Sequence, residues 1–113
     1  MELTGEARSD AYLVHVGADR IDAAGAIQFK DSFREAVANA PGRIILNLEA
    51  VDFLDSSGLG AVVAARKLLG SDRELELAGL TPTVEKVFRL TRMDSVFTIH
   101  PDANTAAADP SNA

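Results

Sequence analysis

The order of apolar and polar positions along the chain changes period several times. Tyr12-Leu13-Val14-His15-Val16 is a short run with β-branched and aromatic members, which predicts a strand. Leu3 and its neighbours predict a preceding edge strand, turned through the polar segment 5–10. From Asp22 the period becomes helical. Ala26, Phe29, Phe33, Ala36, Val37 and Ala40 recur at three- and four-residue steps, with charged residues between them. Asp22 is placed to cap that helix, and Pro41-Gly42 ends it. Arg43-Ile44-Ile45-Leu46-Asn47-Leu48 is nearly continuous in large aliphatics, the mark of a strand covered on both faces.

Residues 59–69 predict a second helix, apolar around most of its circumference and so largely buried, stopped by Gly70-Ser71-Asp72. Residues 74–78 alternate polar with apolar, which predicts a strand with one exposed face. Thr81-Pro82 opens a third helix with Val84, Val87, Phe88 and Thr91 as its inner stripe. Residues 96–99 predict a last strand, with His100 facing solvent at its end. Strands and helices thus alternate, the pattern of an α/β domain with a mostly parallel sheet. The tail from residue 102 is rich in Ala, Asn, Asp and Ser, and predicts at most one weak helical turn before disorder. No internal repeat is evident.

The 113 residues suit a single domain. A formal charge of −6 argues against nucleic-acid binding, because so acidic a chain cannot neutralise a row of phosphates. The chain has no cysteine, so disulfides and thiolate chemistry are excluded. The start, Met1-Glu2-Leu3, is acidic and no long apolar run follows, which predicts neither signal peptide nor membrane insertion, and a cytoplasmic location.

Candidate chemistry concentrates in one place. "FLDSSGLG", residues 53–60, joins a buried strand to a buried helix, the junction where α/β sheets carry their active groups. Asp55, Ser56 and Ser57 are all good helix caps, and Gly58 permits close backbone approach. Two readings stand at this point. In one, a single residue caps the helix and the others are ordinary turn chemistry. In the other, a serine accepts a phosphate, which a helix N-terminus tolerates and which would reverse binding by charge. A nucleophile elbow is excluded, since neither serine has a glycine two residues before it. No Walker loop or dinucleotide fingerprint occurs, and the two histidines, His15 and His100, are too scattered to suggest a metal site or catalytic base. His15, inside a strand, reads as structural. No catalytic residue, metal or cofactor is expected.

"IILNLEAVDFLDSSGLGAVVAARKLL", residues 44–69, resembles the signature of the STAS domain of bacterial anti-sigma factor antagonists. "DRIDAAGAIQFKDSFREAV", 19–37, resembles that family's earlier strand end and first helix, although the family often has glycine where Asp19 stands. "LAGLTPTVEKVFRLTRMDSVFTIH", 77–100, resembles its closing strand, helix and strand. The resemblance implies a single STAS-like α/β domain over residues 1–101, with a mixed, mostly parallel sheet of four to five strands and helices packed against it, followed by a tail over 102–113.

It also implies a non-enzymatic partner switch. The unphosphorylated antagonist would bind an anti-sigma factor that is a GHKL-type serine kinase. Phosphorylation would release it, and a PP2C-type phosphatase would restore it. Carried onto this chain, the phosphoacceptor is Ser56, with Ser57 a capping or packing neighbour. The bound face would include Asp22, Phe53, Asp55, Ser56, Ser57 and Gly58. STAS domains also serve as cytoplasmic accessory subunits of phospholipid-type ABC transporters, the alternative reading.

Overall fold

A computed structural model describes residues 1–8, 10–40 and 42–108. The main sheet has five strands in the order β1 (Leu3–Ala7), β2 (Ala11–Val16), β4 (Arg43–Asn47), β6 (Leu75–Ala78) and β7 (Thr98–His100). β1 runs antiparallel to β2, and the remaining neighbours are parallel. A second, two-stranded parallel sheet pairs β3 (Arg20–Ile21) with β5 (Phe53–Leu54). Both of its strands were too short to be read from periodicity. The helices are α1 (Ala23–Val37), α2 (Ser56–Leu69), α3 (Pro82–Leu90) and α4 (Ala103–Ala108).

The period-two rule divides the sheet into two faces. Val14, Val16, Ile44, Leu46, Leu75 and Leu77 point into the main core, where they meet Phe29 and Phe33 of α1, Val62 of α2 and Phe88 of α3. Phe29 and Phe33 are fully buried, with ring centroids 6.0 Å apart. Burial at that level stabilises by about 2–3 kcal/mol for each ring. The opposite face is smaller. Ala11, Leu13, Ile45 and Ala78 are covered there by Ala106 and Ala107 of α4. α4 is capped by Asp102, whose carboxylate accepts from the Thr105 N–H at 2.7 Å. The tail expected from residue 102 therefore begins with a helix that closes the second face. The disorder expected of its last residues, 109–113, lies outside the described residues.

Several expectations are corrected. β6 has no exposed face: all four of its residues are buried, Glu76 to 2 % exposure. The alternation that looked like solvent against core is ion pair against core. Glu76 is held by Arg43 and His100, so His100 is largely buried and does not face solvent. The last strand starts at Thr98. A 3-10 turn, Met93–Ser95, carries the chain through Val96, which is 40 % exposed, while Phe97 turns inward to meet the Phe88 ring edge-on. Thr91 lies on the exposed side of α3, its hydroxyl donating to the carbonyls of Val87 and Phe88.

α2 starts at Ser56 rather than at residue 59 and is less buried than its composition suggested. Gly60, Arg66, Lys67 and Leu68 are exposed on its outer side. It ends where Gly70 adopts φ +73°, a conformation costly for any residue with a Cβ. Gly60 is in a different situation, since nothing lies within 4 Å of the place a Cβ would occupy. Gly60→Ala is expected to raise stability by about 0.5–1 kcal/mol, the ordinary helix preference for alanine. Urea unfolding of the two proteins checks this, and a midpoint that falls would show contacts that the open space does not.

Candidate functional site

The serine turn is built by β5 and the start of α2. Asp55, in extended conformation, accepts from the Gly58 N–H at 2.9 Å and is the helix cap. The cap position is thus filled by one residue, and both hydroxyls are left for other work. Ser56, the first helical residue, is exposed. Ser57 is exposed too, so the expected capping or packing role does not apply to it.

A second turn of the same construction lies beside it. Asp22, also extended, caps α1 by accepting from the Gly25 N–H at 3.1 Å. The two segments read Arg20-Ile21-Asp22-Ala23-Ala24-Gly25 and Phe53-Leu54-Asp55-Ser56-Ser57-Gly58. Each is strand, aspartate cap, two small residues and glycine. Their strands pair in parallel register, Arg20 opposite Phe53 and Ile21 opposite Leu54. A local repeat is therefore present where none was expected. The two segments are identical only at the aspartates and the glycines. Its effect is to set two helix N-termini side by side, with Ser56 on one of them.

The pairing is tight. Asp52 and Phe53 both donate their backbone N–H to the Asp19 carbonyl, at 2.7 and 3.3 Å. Gly58 packs so closely on β3 that an added Cβ would overlap the Ile21 carbonyl oxygen. Gly58, expected on the bound face, is buried against the Ile21 carbonyl. Its part is to let α2 close on β3.

The two paired segments present an acidic surface with one apolar plate. Asp19, Asp52 and Asp55 come from the two loops, and Asp55 is half-buried by its capping bond. The Phe53 ring is 41 % exposed. The Arg20 guanidinium lies over that ring, 5.0 Å from its centroid, and its Nε is 3.2 Å from Asp22 Oδ2. Asp22 thus divides its carboxylate, one oxygen to the α1 cap and the other to Arg20. The structure brings Asp22, Phe53, Asp55, Ser56 and Ser57 to one end of the molecule. Arg20, which sequence reasoning passed over, joins them. Its signal was its place opposite Phe53, which exists only once β3 and β5 pair.

Away from this end, His15 is held between Glu6 Oε1, 3.0 Å from Nε2, and the Asn47 amide, 2.9 Å from Nδ1. Among the described residues, no group of three or more His, Asp or Glu is placed to hold a metal ion. No helix among them is long and apolar enough to cross a membrane.

Comparison with known proteins agrees with this architecture. The model of the STAS domain family matches residues 4–106. A STAS-domain containing protein of Pseudomonas aeruginosa is 31 % identical over 81 residues, covering 71 % of this chain and 79 % of that protein. A Bordetella bronchiseptica protein provisionally named an anti-sigma factor antagonist, BtrV, is 29 % identical over 109 residues, covering 96 % of this chain and 93 % of its own. Among solved structures, an anti-sigma factor antagonist from Mycobacterium paratuberculosis superimposes with a TM-score of 0.81 at 26 % identity, covering 96 % of this chain and 94 % of that one. With the family model spanning nearly the whole chain and the five-stranded mixed sheet in place, this protein belongs to the STAS domain family.

Proposed function

We propose that the protein is an anti-sigma factor antagonist that works by partner switching, with Ser56 as the phosphoacceptor. The observation that carries this reading is the Ser56 hydroxyl, exposed on the first residue of α2 and released from capping duty by Asp55. The names of the relatives in Bordetella and Mycobacterium support it.

The unphosphorylated protein binds an anti-sigma factor that is also a serine kinase of GHKL type. The contact is made by Phe53, Ser56, Ser57 and the Asp22 loop. The kinase transfers the γ-phosphoryl group of ATP to Ser56 Oγ, which gives up its proton, and ADP leaves. The product carries about −1.5 to −2 added charge. The α2 N-terminus accommodates that charge without refolding. The partner, fitted to a neutral hydroxyl beside Asp55, now meets a dense anion and dissociates. A PP2C-type phosphatase reverses the step. In this scheme the protein acts in the cytoplasm as a substrate of enzymes and performs no catalysis.

Ser56→Ala is expected to bind the kinase as wild type does and to take up no phosphate. Ser56→Asp is expected to bind at least tenfold more weakly, a loss of about 1.4 kcal/mol. The test is a pull-down from the source cells with and without ATP, followed by phosphosite mapping. A phosphate found at another residue would overturn the assignment. Co-purification with a transporter ATPase in place of a kinase would overturn the function.

A further inference from the structure

Residues 17–25 and 50–60, which meet at the β3–β5 pair, contain four aspartates, Asp19, Asp22, Asp52 and Asp55, and a single cation, Arg20. That cation is loosely held. Its side chain is 59 % exposed, its contact to Asp22 is one Nε–Oδ2 approach of 3.2 Å, and its contact to Phe53 is stacking at 5.0 Å. Exposed pairs of both kinds are weak. Asp22 does not depend on it, because its other oxygen makes the cap to Gly25. Ser56 lies close by. Gly58 is pressed against the Ile21 carbonyl, so the first turn of α2 sits directly on β3. Arg20 is rooted on that strand, one residue before Ile21, with its guanidinium over Phe53.

A phosphate on Ser56 would enter this acidic surroundings as the strongest acceptor present. It offers the planar guanidinium a bidentate, charge-assisted pairing that the single contact to Asp22 does not. Resting on the reading of Ser56 as the acceptor, we propose that Arg20 receives the phosphate: its guanidinium leaves Asp22 Oδ2 and the Phe53 ring and pairs with the phosphoryl oxygens of Ser56. Phosphorylation then changes three features of the bound face together. It adds the anion, bares the Phe53 ring and frees one oxygen of Asp22. Arg20 is a positioning residue in this scheme, and the partner is released by rearrangement as well as by repulsion.

The test installs phosphoserine at position 56 genetically in the full chain, so it needs no kinase. The phosphorus NMR signal is followed against pH in wild type, Arg20→Gln and Arg20→Lys. Asp19, Asp22, Asp52 and Asp55 push the phosphate midpoint up in every arm, and the Met1 amino group, against Gln28, is equally constant. The difference between arms isolates Arg20. The midpoint in wild type is expected to lie below that of Arg20→Gln by roughly half a pH unit, with Arg20→Lys recovering part of the displacement. The Arg20 Nε–H and Phe53 ring resonances are expected to shift on phosphorylation. Equal midpoints in wild type and Arg20→Gln, or an Arg20 Nε–H signal that does not move, would overturn the proposal. Failure to find phosphate on Ser56 in cells would instead overturn the functional reading, so the two failures are distinguishable.

Discussion

Replacing Glu76 by alanine is expected to cost about 3–5 kcal/mol of stability, the usual cost of stranding one member of a buried ion pair. Arg43 donates to Glu76 through Nε at 2.7 Å and Nη2 at 2.8 Å, and His100 Nε2 lies 2.6 Å from the same carboxylate. The two charged side chains are 6 % and 3 % exposed. Arg43 Nη2 also donates to the Ala106 carbonyl at 2.8 Å, so the cluster fastens α4 to the sheet. Without the carboxylate, the buried guanidinium loses its two shortest charge-assisted bonds, and the bond from Arg43 to the Ala106 carbonyl loses its anchor. Urea unfolding measures the loss, and hydrogen exchange in α4 is expected to rise with it. An alanine variant within about 1 kcal/mol of wild type would show that the cluster is not a determinant of the fold.

The same cluster sets a pH dependence with a definite sign. Burial pushes the Glu76 carboxyl up, but hydrogen bonds and charge from Arg43 and His100 outweigh it and hold it below the ordinary value of 4.5. A carboxyl depressed in the folded state stabilises fully above its unfolded value. That contribution is lost as pH falls through the lower native value. Glu6 and Asp102 are depressed as well, the first mainly by its hydrogen bond from His15 and the second mainly by the Thr105 N–H. They are common to wild type and variant. Glu76→Gln is therefore expected to show a shallower loss of stability between about pH 5 and pH 3. Parallel acid limbs for the two proteins would contradict the assignment.

Gly58→Ala carries the second large effect. Its Cβ would overlap the Ile21 carbonyl oxygen and stand 2.9 Å from the Ile21 carbonyl carbon and 3.2 Å from the Ile21 Cβ, with no flexible side-chain end to yield. Either β3 leaves α2 or the helix start unwinds. The helix preference for alanine returns about 1 kcal/mol, which does not cover the overlap. A net loss of about 3 kcal/mol is expected, read as a thermal midpoint lower by roughly 10 °C or more. Because β3 carries Arg20 and leads directly into Asp22, the partner binding proposed for this end should fall even where the fold survives. Gly60→Ala, two residues along the same helix, is the internal control, with the opposite sign. An unchanged midpoint for Gly58→Ala, with unshifted Ile21 and Leu54 resonances, would show that the close approach is not real.

What the sequence determined by itself was local. The recurrence of Phe29, Phe33 and Val37 specifies α1, and the aliphatic run at Ile44 specifies a central strand. Asp22 could be placed as a helix cap from the residues around it, since a cap bonds three positions ahead and no further. The resemblance of residues 44–69 then supplied the fold and the interest of Ser56. Tertiary structure decided everything that depends on partners distant in the chain. Glu76 alternated with leucines like a surface residue, and Arg43, 33 positions away, and His100, 24 away, make its burial tolerable. Ser57 and Gly58 seemed part of one exposed turn until the Ile21 carbonyl assigned the glycine to the interior. The match between the Asp22 and Asp55 turns gained meaning only when β3 and β5 paired. Periodicity reports which side of an element is apolar, and hydrogen bonds within four residues fix its ends. The identity of whatever covers each face is a property of the packed chain.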